Sequence, residues 1–196
     1  LVASKNAPYN TYDEFKQYIR KHPQEFNIGF WNLYTSNILY DLAKKENLPR
    51  PNVVLYKGSA PQLNDLLAGQ VLLGFTQMQG ATQQIQSGKL NALAITSTER
   101  SKHLPQVPTL AELGYRDLSL QVWFGLVAPA GTPQPVVETI TTAVMKVQND
   151  QEYRAKLEAQ GFDVPRESGA TFAATIANDT ARWAKVVQAT GFKAND

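Results

Sequence analysis

Apolar positions fall along this chain in short runs, with polar and helix-spaced stretches between them. Residues 53–55, 71–75 and 90–95 are close to continuous apolar runs. A continuous run of that length is buried on both faces, as in a parallel sheet covered by helices. Each run gives way to small or polar residues: Tyr56-Lys57-Gly58-Ser59, then Thr76-Gln77, then Thr96-Ser97. The pattern predicts an α/β fold with a mostly parallel sheet. In open sheets of this class, ligands bind outside the carboxyl ends of the strands. The same pattern therefore predicts where a ligand sits.

The flanking segments follow the same logic. Residues 1–3 read as the end of a strand. Thr11 and Glu14 have capping-box spacing and open a helix with Phe15, Tyr18 and Ile19 on one face. It ends near His22-Pro23, because the residue before proline resists the helical region. Residues 26–29 read as a strand. Thr35 or Ser36 is expected to cap the next helix, which carries Ile38, Leu39 and Leu42, with Lys44 and Lys45 at its favourable end. Pro61 is expected at the first position of a helix over 63–68, capped by Ser59 or Ala60 and closed by Gly69. A weaker helical pattern runs from Gly80 to Gly88. Residues 101–108 read as a loop and 109–113 as a short helix closed by Gly114.

Residues 122–129 are apolar and read as a strand. Thr132-Pro133 then starts a helix with Val136, Val137, Ile140, Val144 and Val147. Asp150 restarts a helix that Gly161 stops, and 162–164 read as a short strand. Ser168 caps a last helix with Phe172, Ile176, Trp183, Val186 and Val187, ended by Gly191. Strand–helix alternation gives way to helix near Val122. The expected units are therefore 1–122 and 123–196.

Charge narrows the partners. The chain has 19 Lys+Arg against 17 Asp+Glu, a net charge of +2, and neither part concentrates the excess. No basic face suited to phosphates results, so no nucleic-acid partner is expected. No apolar run approaches the roughly 20 residues of a membrane span. There is no cysteine, which removes disulfide and thiolate chemistry and suits an extracytoplasmic bacterial protein. The chain begins at Leu1 with no signal peptide in view, so a processed or truncated piece of a longer protein is expected.

Catalytic patterns are missing. His22 and His103 lie in unrelated segments, and neither H-E-x-x-H, G-x-S-x-G nor a Walker loop occurs. Asp13-Glu14 reads as favourable charge in a first helical turn. No enzyme and no cofactor is expected. Three places can hold an anion. Thr35 and Ser36 at a helix start offer backbone N–H groups and hydroxyls, or serve only as caps. Lys57, Gly58 and Ser59 form a strand-to-helix turn in which Gly58 lets a ligand approach the backbone. The alternative there is an ordinary turn with a solvated lysine. Thr76 and Gln77 directly follow a buried strand. Phe30, Trp31 and Tyr34 precede the first place as core packing or as a wall against an apolar ligand body. Trp123 and Trp183 read as core or hinge packing.

The stretches YKGSAPQLNDLLAGQV, IQSGKLNALAITSTERSKHLPQVPTLAELGY, WFGLVAPAGTP and ARWAKVVQATG resemble the Bug family. These are the TctC-like periplasmic solute-binding proteins of tripartite tricarboxylate transporters. The resemblance runs over nearly the whole chain. It implies a type II periplasmic-binding-protein (Venus-flytrap) fold, here a complete domain 2 over 1–122 plus the C-terminal part of domain 1 over 123–196, with residues 123–129 as a hinge strand. It implies a small carboxylate ligand held between the domains, membrane permease subunits as partners and a periplasmic location. The ligand is expected at the residues read above from the strand ends and helix starts: Trp31, Tyr34, Thr35, Ser36, Lys57, Gly58, Ser59, Thr76 and Gln77.

Family members also carry a further N-terminal segment, about a third of the mature chain, with a glycine-rich ligand loop. Their Gly/Ser-rich loop of the form YGSSGxGSxxHL is IGFWNLYTSNIL here, with Thr35 at the family's serine position. Their frequent aspartate after the strand is replaced here by Thr76-Gln77. More aromatic surface and less negative charge suggest a ligand with an aromatic or apolar body. Two alternatives remain: a ligand-sensing subunit for a signalling partner, and a truncated non-binding protein that forms homo-oligomers through an exposed half-domain.

Overall fold

The computed structural model describes residues 1–165 and 169–190, with the side chains of Leu33, Tyr34, Val186, Ala189 and Thr190 excepted. The expected cap at Ser168, the stop at Gly191 and the contacts of the Val186 side chain lie outside the described residues. The chain divides into two compact units. One is Leu1–Val122 with Gln160–Phe162, the other Trp123–Ala159 with Asp163–Asp196.

The first unit is built on a five-stranded sheet. Its strands are β1 (Val2–Ser4), β2 (Asn27–Phe30), β3 (Asn52–Leu55), β4 (Leu73–Gly74) and β5 (Leu90–Ala92), in the order β3-β2-β4-β1-β5. β2 runs parallel to β3 and β4, while β1 runs antiparallel to β4 and β5. The sheet is thus mostly parallel, with one reversed strand inside it. Helices α1 (Tyr12–Lys21), α2 (Leu33–Lys45), α3 (Ser59–Ala68) and α4 (Met78–Gln86) connect the strands.

Local chemistry explains the element ends. Thr11 and Glu14 form a full capping box at α1, which ends at His22 before Pro23. Gly69 closes α3 in the left-handed region at φ 75°, where a side chain would be strained. Two helix starts differ from those expected. Asn32, not Thr35 or Ser36, caps α2. Gly58, not Ser59 or Ala60, caps α3, so Pro61 sits in the third helical position.

The core lies around β2 and the face of α1. Phe26, Ile19, Ile28 and Leu39 are among its fully buried side chains. Phe15 meets Phe26 edge-on at 5.6 Å and Tyr9 at 5.4 Å. A second cluster joins Val2, Leu66, Val71 and Leu90 across α3, β1 and β5. The apolar run at 53–55 does not join either. It forms the sheet's edge, with Leu55 69 % exposed. An edge strand has a neighbour on one side only, which the run's composition does not reveal.

The second unit is helical: α5 (Gln134–Asn149), α6 (Gln151–Ala159) and α7 (Gly169–Thr190). Pro133 is the cap of α5 rather than its first residue, and Asp150 Oδ1 accepts the Tyr153 N–H at the start of α6. Among the described residues, 122–129 and 162–164 are not strands, and 109–113 make a turn rather than a helix. Residues 122–129 are exposed, Val127 at 79 %. Trp123 is fixed within this unit. Its Nε1–H donates to Asp179 Oδ2 at 2.6 Å, and its ring meets Phe172 edge-on at 5.0 Å.

Candidate functional site

Three parallel strands set the site. Phe30 stands opposite Leu55, and Gly29 opposite Gly74. The carboxyl ends of β2, β3 and β4 therefore open on one edge of the sheet. That edge carries Trp31, Thr35 and Ser36 after β2, Lys57, Gly58 and Ser59 after β3, and Thr76 and Gln77 after β4. Tyr34 lies in the first turn of α2, and its side chain is outside the described residues.

The three helix starts at this edge differ. At α2, Asn32 Oδ1 accepts the Thr35 N–H at 3.1 Å, and the Thr35 hydroxyl bonds back to Asn32 at 3.2 Å. Thr35 is thus turned onto the cap, and Ser36 is buried at 3 % exposure. At α3, Gly58 has φ 152°, no side chain caps the helix, and a Cβ on Gly58 would meet nothing within 4 Å. At α4, Gln77 is the cap position and again no side chain caps the helix. The backbone donors at the starts of α3 and α4 are therefore open to a ligand, whereas Thr35 N–H is taken.

Lys57 is exposed beside Gly58 and, among the described residues, makes no salt bridge. Ser59 and Thr76 are half-buried. Tyr56 continues the β2–β3 ladder, its N–H donating to the Phe30 carbonyl at 2.9 Å. Its hydroxyl donates to Asp65 Oδ2 at 2.8 Å. Burial first, and then the Asp65 bond, pushes the Tyr56 phenol up to about 12, so it stays protonated.

One residue at this edge was invisible in the sequence. Gln62 on α3 is 0 % exposed, and its Nε2 donates to the Gly29 carbonyl at 2.6 Å and the Phe75 carbonyl at 2.8 Å. A glutamine in a helix pattern reads as a solvent-facing position, and the family stretch that contains it gives it no role. A surface concavity of about 450 Å³ lies elsewhere, beside the start of α1 and β5. None of the nine expected residues lines it.

Chemically, the edge offers donors and one cation: helix-start N–H groups, the Ser59 and Thr76 hydroxyls, the Gln77 amide and Lys57. Among the described residues, no group of three or more His, Cys, Asp or Glu is placed to hold a metal. Such an edge suits an anion with several acceptor oxygens. The fold and this edge together define the class: an open α/β domain with polar groups and helix starts gathered at its strand ends.

The family model described as "Tripartite tricarboxylate transporter family receptor" matches residues 1–192, and the chain belongs to that family. Protein BugT of Bordetella pertussis is 37 % identical over 142 residues, which is 72 % of this chain and 44 % of that protein. An R. palustris protein with adipate has a TM-score of 0.83 at 28 % identity, covering 97 % of this chain and 64 % of that one. MatC from Rhodopseudomonas palustris with bound malate has a TM-score of 0.80 at 30 % identity, covering 95 % and 65 %. The chain thus spans about half the length of the curated relatives it matches and somewhat under two thirds of these solved chains.

Proposed function

We propose that this chain is the ligand-holding part of a periplasmic receptor that captures a small carboxylate and hands it to the membrane permease of a tripartite tricarboxylate transporter. The observation that carries the reading is the convergence of two helix starts without side-chain caps, Gly58–Ser59 and Gln77, with Lys57 at one sheet edge. A carboxylate accepts from backbone N–H groups there without any reaction. Residues 1–122 act as the ligand-binding domain, and 123–196 as hinge segment and part of the second domain. Trp31, half-buried after β2, faces an apolar or aromatic ligand body. Adipate and malate in the related proteins favour the same ligand class.

Calorimetry with malate, adipate and benzoate tests this. Thr76→Val should weaken the bound acid about three- to tenfold, the cost of one hydrogen bond. Lys57→Met should act more weakly as salt rises, since the lysine is exposed. A folded chain that binds none of the three acids overturns the reading. A second reading has its own observation. The exposed apolar residues Phe124, Leu126 and Val127 favour self-association through the second unit. Light scattering that gives a clean monomer at all concentrations removes it.

A further inference from the structure

The geometry points to Gln62 as the positioning residue of the ligand edge: one buried carboxamide sets the separation of the segments that follow β2 and β4. The inference rests on the carboxylate reading above. β2 and β4 are paired at a single position, Gly29 opposite Gly74. Beyond that pair the backbones are joined by a side chain. Gln62 Nε2 donates to Gly29 on β2 and to Phe75, the residue after β4. Phe30–Asn32 and Thr76–Gln77 both start from these two carbonyls. The bridging side chain belongs to α3, the helix whose start at Gly58 is the third part of the edge. All three parts are therefore referred to one amide.

The orientation of that amide is determined by its partners. Both are carbonyl oxygens, which only accept, so the nitrogen must face them. Oε1 is then left buried with no partner among the described residues. Two bonds gained are set against one orphaned acceptor, so the side chain's stabilising worth is spent on tying these two carbonyls. The surroundings are shaped to admit it. A Cβ on Gly74 would lie 2.9 Å from Gln62 Nε2, and a Cβ on Gly29 would lie 3.5 Å from Gln62 Cγ. Two glycines face each other across the strands where this side chain lies. A leucine or methionine would fill that space without the buried Oε1, but would take the donor from both carbonyls and leave the strand ends untied.

The test compares the chain with Gln62→Met, which keeps the length and removes the amide, and with Gln62→Glu. A protonated glutamic acid keeps one O–H donor and so one of the two bonds. Two readouts are taken. In hydrogen exchange, the amides of residues 30–32 and 75–77 should exchange about tenfold faster together in Gln62→Met, about the worth of one hydrogen bond. Gln62→Glu should fall between, and α1 and β5 should be unchanged. In calorimetry across straight-chain dicarboxylates of four to eight carbons, Gln62→Met should flatten the preference for chain length as well as weaken binding. Unchanged exchange in both segments overturns the inference, whatever the binding. Looser segments with an unaltered length preference overturn its link to the ligand. If the unsubstituted chain binds no diacid, the carboxylate reading fails, and the exchange result alone decides whether Gln62 positions the edge. Should Gln62→Met not fold, Gln62→Glu carries both readouts.

Discussion

Phe26→Ala is expected to lower the stability of the first unit by about 3–5 kcal/mol, the usual loss for a fully buried phenylalanine. Phe26 is 1 % exposed and precedes β2. Its ring meets Phe15 at 5.6 Å, and Phe15 in turn meets Tyr9 at 5.4 Å and Tyr12 at 5.9 Å. Tyr12 continues to Tyr115 at 5.9 Å. Rigid rings in edge-on contact cannot flow into a vacated volume, so the cavity stays open and the loss should sit at the upper end. Urea unfolding followed by tryptophan-independent circular dichroism measures it. Phe26 lies at the amino end of β2, opposite the proposed ligand edge. The folded fraction should therefore bind its ligand as before. A loss below about 1 kcal/mol would mean that these rings do not form the core of the unit.

Gly74→Ala is the second large effect, expected to cost about 1–3 kcal/mol as overpacking and to weaken ligand binding at the same time. The new Cβ would lie 2.9 Å from Gln62 Nε2, 3.0 Å from Leu66 Cδ1 and 3.2 Å from the Gly29 carbonyl. One of these neighbours is backbone, and another is held by two hydrogen bonds. Little can yield except the tie itself. Gly29→Ala meets only side chains, Tyr56 Cε2 at 2.9 Å and Val71 Cγ2 at 3.3 Å, so its loss should be smaller. Thermal unfolding of the two variants gives the order. Equal losses would remove the special status of Gly74. The two glycines face each other, so the double variant should depart from additivity.

Much of the fold was legible because its signals are local. The Thr11–Glu14 capping box, the proline after His22 and the left-handed Gly69 each depend on neighbours a few residues away. The strand ends at Thr76-Gln77 and Gly58-Ser59 were legible for a related reason: an apolar run followed by small polar residues marks its own end. Long family motifs added the class. The rest depends on what lies across the fold. The run at 53–55 looks the same in sequence at an edge as at a centre. At α2, Asn32 and Thr35 are both good caps by type, and only the backbone decides between them. The reversal of β1 and the role of Gln62 come from partners far along the chain. Residues 122–129 are apolar enough for a strand, but a strand needs a neighbour, and none pairs with them among the described residues.

The reversed strand has a consequence for how the sheet is assembled in time. β2 and β3 are joined by one helix and can pair early, since little chain must be gathered first. β1 cannot. Val2 must find both Gly74 and Ala92, and the slot between β4 and β5 does not exist until α4 has brought those two strands round. Closure of the sheet is therefore a late, long-range event, the kind that slows folding. Until it occurs, β4 and β5 both present open edges. The interval before β1 enters is when this chain is most exposed to pairing with a strand that is not its own.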